Sequence, residues 1–138
     1  MIFFNKSKNE AKNNDLAKIA ALLIHAAKID ENYSEDEEKI IKQTLIEIDP
    51  QNQNIQDVIE KGKIIEINSN QILDFTKEVK NMNQVDKIKI VETLWRIIYS
   101  NKKADIYETN LMRRLTGLLY IDNKIMGDIK EKIKKENS

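Results

Sequence analysis

The stretch from Leu16 to Ala27 constrains this chain most. Leu16, Ala17, Ile19, Ala20, Leu22, Leu23, Ile24, Ala26 and Ala27 follow Asp15 with no Gly or Pro between them. At 3.6 residues per turn they cover most of a helix's circumference, and a helix apolar nearly all round belongs in the middle of a bundle. Asp15 is the expected cap, and the helix is expected to run to about Lys28.

The remaining segments carry the same period. Ser34 opens a second helix with Ile40, Ile41, Thr44, Leu45 and Ile48 on one face, ended by Asp49-Pro50, because the residue before proline is pushed out of the helical region. A third helix is expected over about 52–66, with Ile55, Val58, Ile59 and Ile65 as its stripe. A fourth, capped at Ser69 or Asn70, carries Ile72, Phe75, Val79 and Met82. These two read as amphipathic and peripheral. A fifth runs from Gln84 to Ser100 through Val85, Ile88, Val91, Leu94, Trp95 and Ile98. A sixth follows Asp105 with Leu111, Met112, Leu115, Leu118 and Leu119, and Asp122 caps a seventh. Three glycines and one proline leave little material for the turns of a β fold. The expected fold class is therefore all-α: a single-domain bundle of about seven helices over residues 15–135, preceded by a tail, 1–14, that is partly disordered or folded back.

The charge balance removes several functions. Lys plus Arg and Asp plus Glu both number 23, so the net charge is zero, and nucleic acid, bound through excess positive charge, is not an expected partner. With no cysteine there is no disulfide and no thiolate metal site. A Gly-rich phosphate loop, a nucleophile elbow and a His-Glu-x-x-His pair are all missing, so the chain is not expected to be an enzyme, and no small-molecule substrate is identified. The three apolar residues Ile2, Phe3 and Phe4 are too few for a signal peptide. A cytoplasmic location is expected, with a peripheral membrane contact through these residues as the alternative to their folding back.

Sliding the sequence by 71 residues superimposes two helix pairs. Asp15, Lys18, Ile19, Leu23 and Glu37 fall on Asp86, Lys89, Ile90, Leu94 and Glu108, while His25 falls on Arg96 and Asp30 on Asn101. Two pseudo-repeated helix hairpins should then pack about a pseudo-twofold. In the first hairpin an acid, Asp30, ends one helix and Glu37 follows seven residues later in the next. Asn101 and Glu108 repeat the separation.

These duplicated turns, with Tyr107-Glu108-Thr109-Asn110-Leu111-Met112-Arg113-Arg114-Leu115 and Leu118-Leu119, resemble the TerB family of tellurite-resistance TerB-like domains. The likeness covers roughly 15–48 and 86–120. Glu31 and Lys102 stand where the family's turn carries glycine. The resemblance implies a non-enzymatic helical module in a stress or metal-resistance setting, with a protein partner that is often membrane-associated. It also implies a divalent-cation site at Asp30, Glu37 and Glu108, with Asn101 as a weaker oxygen ligand. Six acids and no base lie between Asp30 and Glu38, and hard oxygen ligands suit Ca²⁺ or Mg²⁺.

Two other readings of the same residues stay open. Ser34-x-x-Glu37 and Asp105-x-x-Glu108 are capping boxes, which makes the turns plain helix joints in an ion-free helical protein-interaction domain. An EF-hand fails, since Glu35 stands at the turn glycine's place and Ile41 at the bidentate Glu's. His25, mid-helix in an apolar run, is expected to be a hydrogen-bonded interior or interfacial residue. A small α-helical enzyme using His25 is the other alternative. Trp95 is expected in the core, and one of Arg113 and Arg114 is expected to pair with an acid on a neighbouring helix.

Overall fold

The computed structural model describes the backbone over residues 2–29, 33–69, 73–100 and 106–136, and the side chains over 13–29, 33–69, 75–100 and 109–136. Among the described residues there are seven helices and no strand: α1 (Ile2–Ala27), α2 (Glu35–Ile48), α3 (Ile55–Asn68), α4 (Leu73–Lys80), α5 (Gln84–Tyr99), α6 (Ile106–Leu118) and α7 (Asn123–Glu136).

The apolar run behaves as its pattern requires. Ala17, Ala20–Ile24, Ala26 and Ala27 are at most 1% exposed, and α1 packs against α2, α3, α4 and α5. The helix does not begin at Asp15, however. It begins at Ile2, and Asp15 lies inside it, exposed. Nothing between Ile2 and Asn14 breaks a helix, since the stretch holds neither Gly nor Pro.

The third helix is not peripheral. It makes the most extensive contact with α1 of any element, and Gly62 is the reason. A Cβ at Gly62 would stand 2.8 Å from Ala20 Cβ, 3.1 Å from the Ala17 carbonyl oxygen and 3.2 Å from the Ala21 nitrogen. One glycine set against three alanines lets two helix backbones approach closely, a feature that counting apolar residues overlooks.

The 71-residue repeat holds at the level of elements and reaches further than two hairpins. α2 begins at Glu35 and α6 at Ile106, 71 positions on. α1 packs most on α3, and α5 packs most on α7. The polar ties repeat as well: His25 Nδ1 meets Glu66 of α3 at 3.4 Å, and Arg96 Nε donates to Glu136 of α7 at 3.3 Å. The halves part company where α2 lies along α5, with Thr44 and Thr93 hydroxyls 2.6 Å apart in the interior, whereas α6 lies along α4. Trp95 is 3% exposed; it stacks on Tyr99 and gives its indole N–H to Met126 Sδ at 3.3 Å.

Arg113 and Arg114 are both exposed, and neither enters an ion pair among the described residues. Leu111, Met112, Leu115 and Thr116 occupy the inward face of α6 and leave the arginines on its outer side. Among the described residues, the expected pairing with a neighbouring acid is not made.

Candidate functional site

The elbow between α1 and α2 gathers acids against α3. α1 ends at Ala27, and Ser34 caps α2 in extended backbone, φ −92° and ψ 165°. The Glu37 amide donates to Ser34 Oγ at 3.2 Å. In return Glu37 Oε1 accepts from the Ser34 amide at 2.9 Å and from the Ser34 hydroxyl at 3.1 Å. This is the capping box read from the sequence, and it satisfies otherwise orphaned amide donors at the helix start. Glu37 is 3% exposed. Glu35 and Asp36 beside it face solvent, where first-turn acids suit the positive end of the helix dipole.

The next acid reaches out of the elbow. Glu38 Oε1 accepts from Lys63 Nζ of α3 at 2.7 Å and from the Tyr33 hydroxyl at 3.2 Å, while Lys63 also meets Glu60 at 3.2 Å. The lysine hydrogen bond holds the Glu38 carboxyl below its ordinary range. The same bond raises the Lys63 ammonium. Burial, reinforced by the charge of Glu38, lifts the Tyr33 phenol well above its usual value, so Tyr33 stays a proton donor to Glu38 at all ordinary pH. One turn further along α3, Glu66 Oε2 accepts from Lys28 at 2.8 Å and Oε1 faces His25. Two successive side chains of one α3 face, Lys63 and Glu66, thus tie that helix to both arms of the elbow.

Of the four residues expected to hold an ion, Asp30 and Asn101 lie outside the described residues. Glu108 lies within α6, and its side chain is outside the described set. Glu37 is in place and already engaged by the cap. Among the described residues there is no group of three or more His, Asp and Glu arranged to hold a metal. A carboxylate has about four lone-pair sites, so an ion at this turn would have to share Glu37 with Ser34.

His25 is an interfacial histidine. Its side chain is 38% exposed, it lies 6.2 Å from the Phe75 ring, and Glu66, its carboxylate neighbour among the described residues, also holds Lys28. Two hollows on the surface, about 380 Å³ beside Asn13, Asp57 and Ile64 and about 420 Å³ beside Thr44 and Arg96, do not include His25. Tyr33, Lys63 and Glu66 are site residues that the motifs above do not mark. The charged stripe Glu60, Lys63, Glu66, at three-residue spacing, was the available signal.

Two helices that start 71 positions apart, α2 at Glu35 and α6 at Ile106, agree with a direct family match. The family model described as Tellurite resistance protein TerB covers residues 16–131. The chain belongs to the TerB family. The match begins at Leu16, the first buried residue of α1 among the described ones, and ends in α7, so it reaches every helix. TerB domains are all-helical and generally non-catalytic. Comparison with curated proteins and with solved structures gave no match. Among the described residues, no helix of this TerB domain is long and apolar enough to cross a membrane.

Proposed function

We propose that this TerB domain is a non-catalytic module whose acidic elbow takes a hard divalent cation and thereby fixes α3 for a protein partner. The observation that carries this reading is the Glu38–Lys63 contact at 2.7 Å, backed by Lys28–Glu66 at 2.8 Å. Through these ties, whatever sets the angle between α1 and α2 also sets α3. The outer side of α3 carries Ile64 and Ile67, 60% and 69% exposed, three residues apart on one face. Exposed aliphatic pairs of this kind suit cover by a partner's apolar side chains.

Asp30 and Glu37, with Glu108 and Asn101 from the second hairpin, would hold the cation. Their donors are all oxygen, which suits Ca²⁺ or Mg²⁺. A bound ion would supply positive charge that neutralises the acids around it and fixes the elbow angle. Glu37 would keep its bond to the Ser34 amide while its carboxylate contributes oxygen to the ion.

The capping box favours a second reading, an ion-free interaction domain in which Glu37 serves as the cap of α2. Calorimetric titration of the protein with Ca²⁺, Mg²⁺ and Mn²⁺ separates the two. Saturable binding lost in Asp30→Ala supports the ion; no heat from any of the three supports the plain joint.

A further inference from the structure

The end of the bundle opposite the elbow carries features that the elbow reading does not use. α4 runs antiparallel to α1, since Phe75 lies beside His25 and Glu78 meets Lys18 at 3.2 Å. Its last residue, Lys80, is therefore directed toward the N-terminal half of α1. The turn between α6 and α7 comes to the same place, because Lys80 Nζ stands 4.5 Å from the centre of the Tyr120 ring. Val85, 66% exposed, follows across the short α4–α5 turn. α1 also enters from this end. Asn52 of the α2–α3 turn bonds Asn13 at 2.8 Å, and the backbone helix continues from there back to Ile2. Those eleven residues are about 16 Å of helix, and in sequence they hold Phe3, Phe4, Lys6, Lys8 and Lys12.

Tyr120 is the odd residue here. It closes α6 in the left-handed region, φ 55°, with the Ile121 amide donating back to the Thr116 carbonyl at 3.1 Å. Glycine or asparagine is the usual occupant of such a closing position. A tyrosine held there, 70% exposed, is strained without gaining burial. Strain retained at an exposed side chain points to a use outside the fold.

We propose that this end of the bundle rests on an anionic lipid surface. The reading is independent of the cation proposal. Tyrosine, with an apolar ring and a polar tip, suits the headgroup layer. Lys77, Lys80 and Lys124 attract anionic headgroups. Two of the nearby acids have partners, Asp86 accepting from Asn83 and Asp122 from the amide of Lys124, while Asp57 beside Asn13 is exposed. The contributing groups sit at the ends of separate elements, so they present a broad end, suited to a plane, in place of a groove suited to a peptide.

Co-sedimentation of the full chain with phosphatidylcholine vesicles, with and without phosphatidylglycerol, tests this. Binding is expected only with phosphatidylglycerol and should weaken with salt. Lys80→Gln should lower it roughly fivefold, the weight of one lysine at such a surface, and Tyr120→Ser should lower it further while circular dichroism stays unchanged. Lys39→Gln, an exposed lysine near the elbow end of α2, should bind as the parent does. No binding to the anionic vesicles, equal binding to neutral ones, or binding indifferent to both Lys80→Gln and Tyr120→Ser would overturn the proposal. So would Tyr120-dependent binding of soluble polyglutamate with none to vesicles, which would assign this end to an acidic protein.

Discussion

Lys63 Nζ lies 2.7 Å from Glu38 Oε1, and this contact joins the middle of α3 to the first turn of α2. Glu38 also takes the Tyr33 hydroxyl, so one carboxylate links the elbow's last loop residues, its second helix and the helix packed across α1. Both partners are about one-third exposed, so the pair itself contributes on the order of 1 kcal/mol or less. Its weight lies in geometry more than in stability.

The pH dependence of this brace follows from the two shifts. Glu38 has a folded pKa below its unfolded value, so its contribution is present above the ordinary carboxylate range and is lost as pH falls through the folded value. Lys63 has a raised folded pKa, so its contribution is present below the ordinary lysine range and is lost as pH rises through the folded value. The brace should be whole from about pH 5 to about pH 10. In Lys63→Met the Glu38 carboxyl should titrate at a higher pH than in the parent, read by carboxyl NMR; an unmoved Glu38 would mean that the contact does not form in solution.

Glu37 allows cap and ligand to be separated. Glutamine serves at the third position of a capping box as well as glutamate does. Glu37→Gln should therefore keep stability within about 0.5 kcal/mol of the parent. Ser34→Ala, which removes the hydroxyl that accepts from the Glu37 amide, should cost about 1 kcal/mol in urea unfolding. Equal losses in the two variants would show that the charge of Glu37 stabilises the fold by another route.

Gly62→Ala should destabilise the domain although alanine is the better helix former. The gain in propensity is about 1 kcal/mol. Against it stands a Cβ placed 2.8 Å from Ala20 Cβ, on a rigid backbone that cannot swing aside. Overpacking of this kind costs roughly 1–3 kcal/mol. The double change Gly62→Ala with Ala20→Gly should recover part of the loss in urea unfolding, and an absence of recovery would place the clash elsewhere.

Arg113→Ala and Arg114→Ala should each shift stability by less than about 0.5 kcal/mol, as expected for exposed residues outside any described ion pair. A larger loss from either, in the same urea assay, would show that it has a structural partner.

The legible part of the fold was periodic and the illegible part was long-range. The all-round apolar character of Leu16–Ala27 placed α1 in the centre, and Ser34-x-x-Glu37 gave the cap atom for atom. The His25–Arg96 correspondence was readable too, and both side chains reach a glutamate on the third helix of their half. By contrast, Glu38 and Lys63 are 25 positions apart and His25 and Glu66 are 41 apart; no spacing rule within one helix joins them. Asp15 looks like a cap, but a cap-type residue inside an unbroken helix leaves no trace in the period, so the pattern does not show that α1 starts at Ile2. α3 reads as peripheral in the pattern because its closest contact is made by a glycine, which has no side chain to count. Of the expected ion ligands, the sequence named the one whose side chain is described, Glu37, but spacing alone could not say that its first duty is to Ser34.

Isothermal titration of Ca²⁺ and of Mg²⁺ into the parent and into Glu37→Gln tests the cation proposal most directly. The account predicts saturable binding of at least one ion by the parent, weakened at least about tenfold in the variant, since one of its few charged oxygen ligands is lost while the cap remains. No heat beyond dilution in the parent, or identical isotherms for the two proteins, would contradict it and leave the elbow as a capped joint.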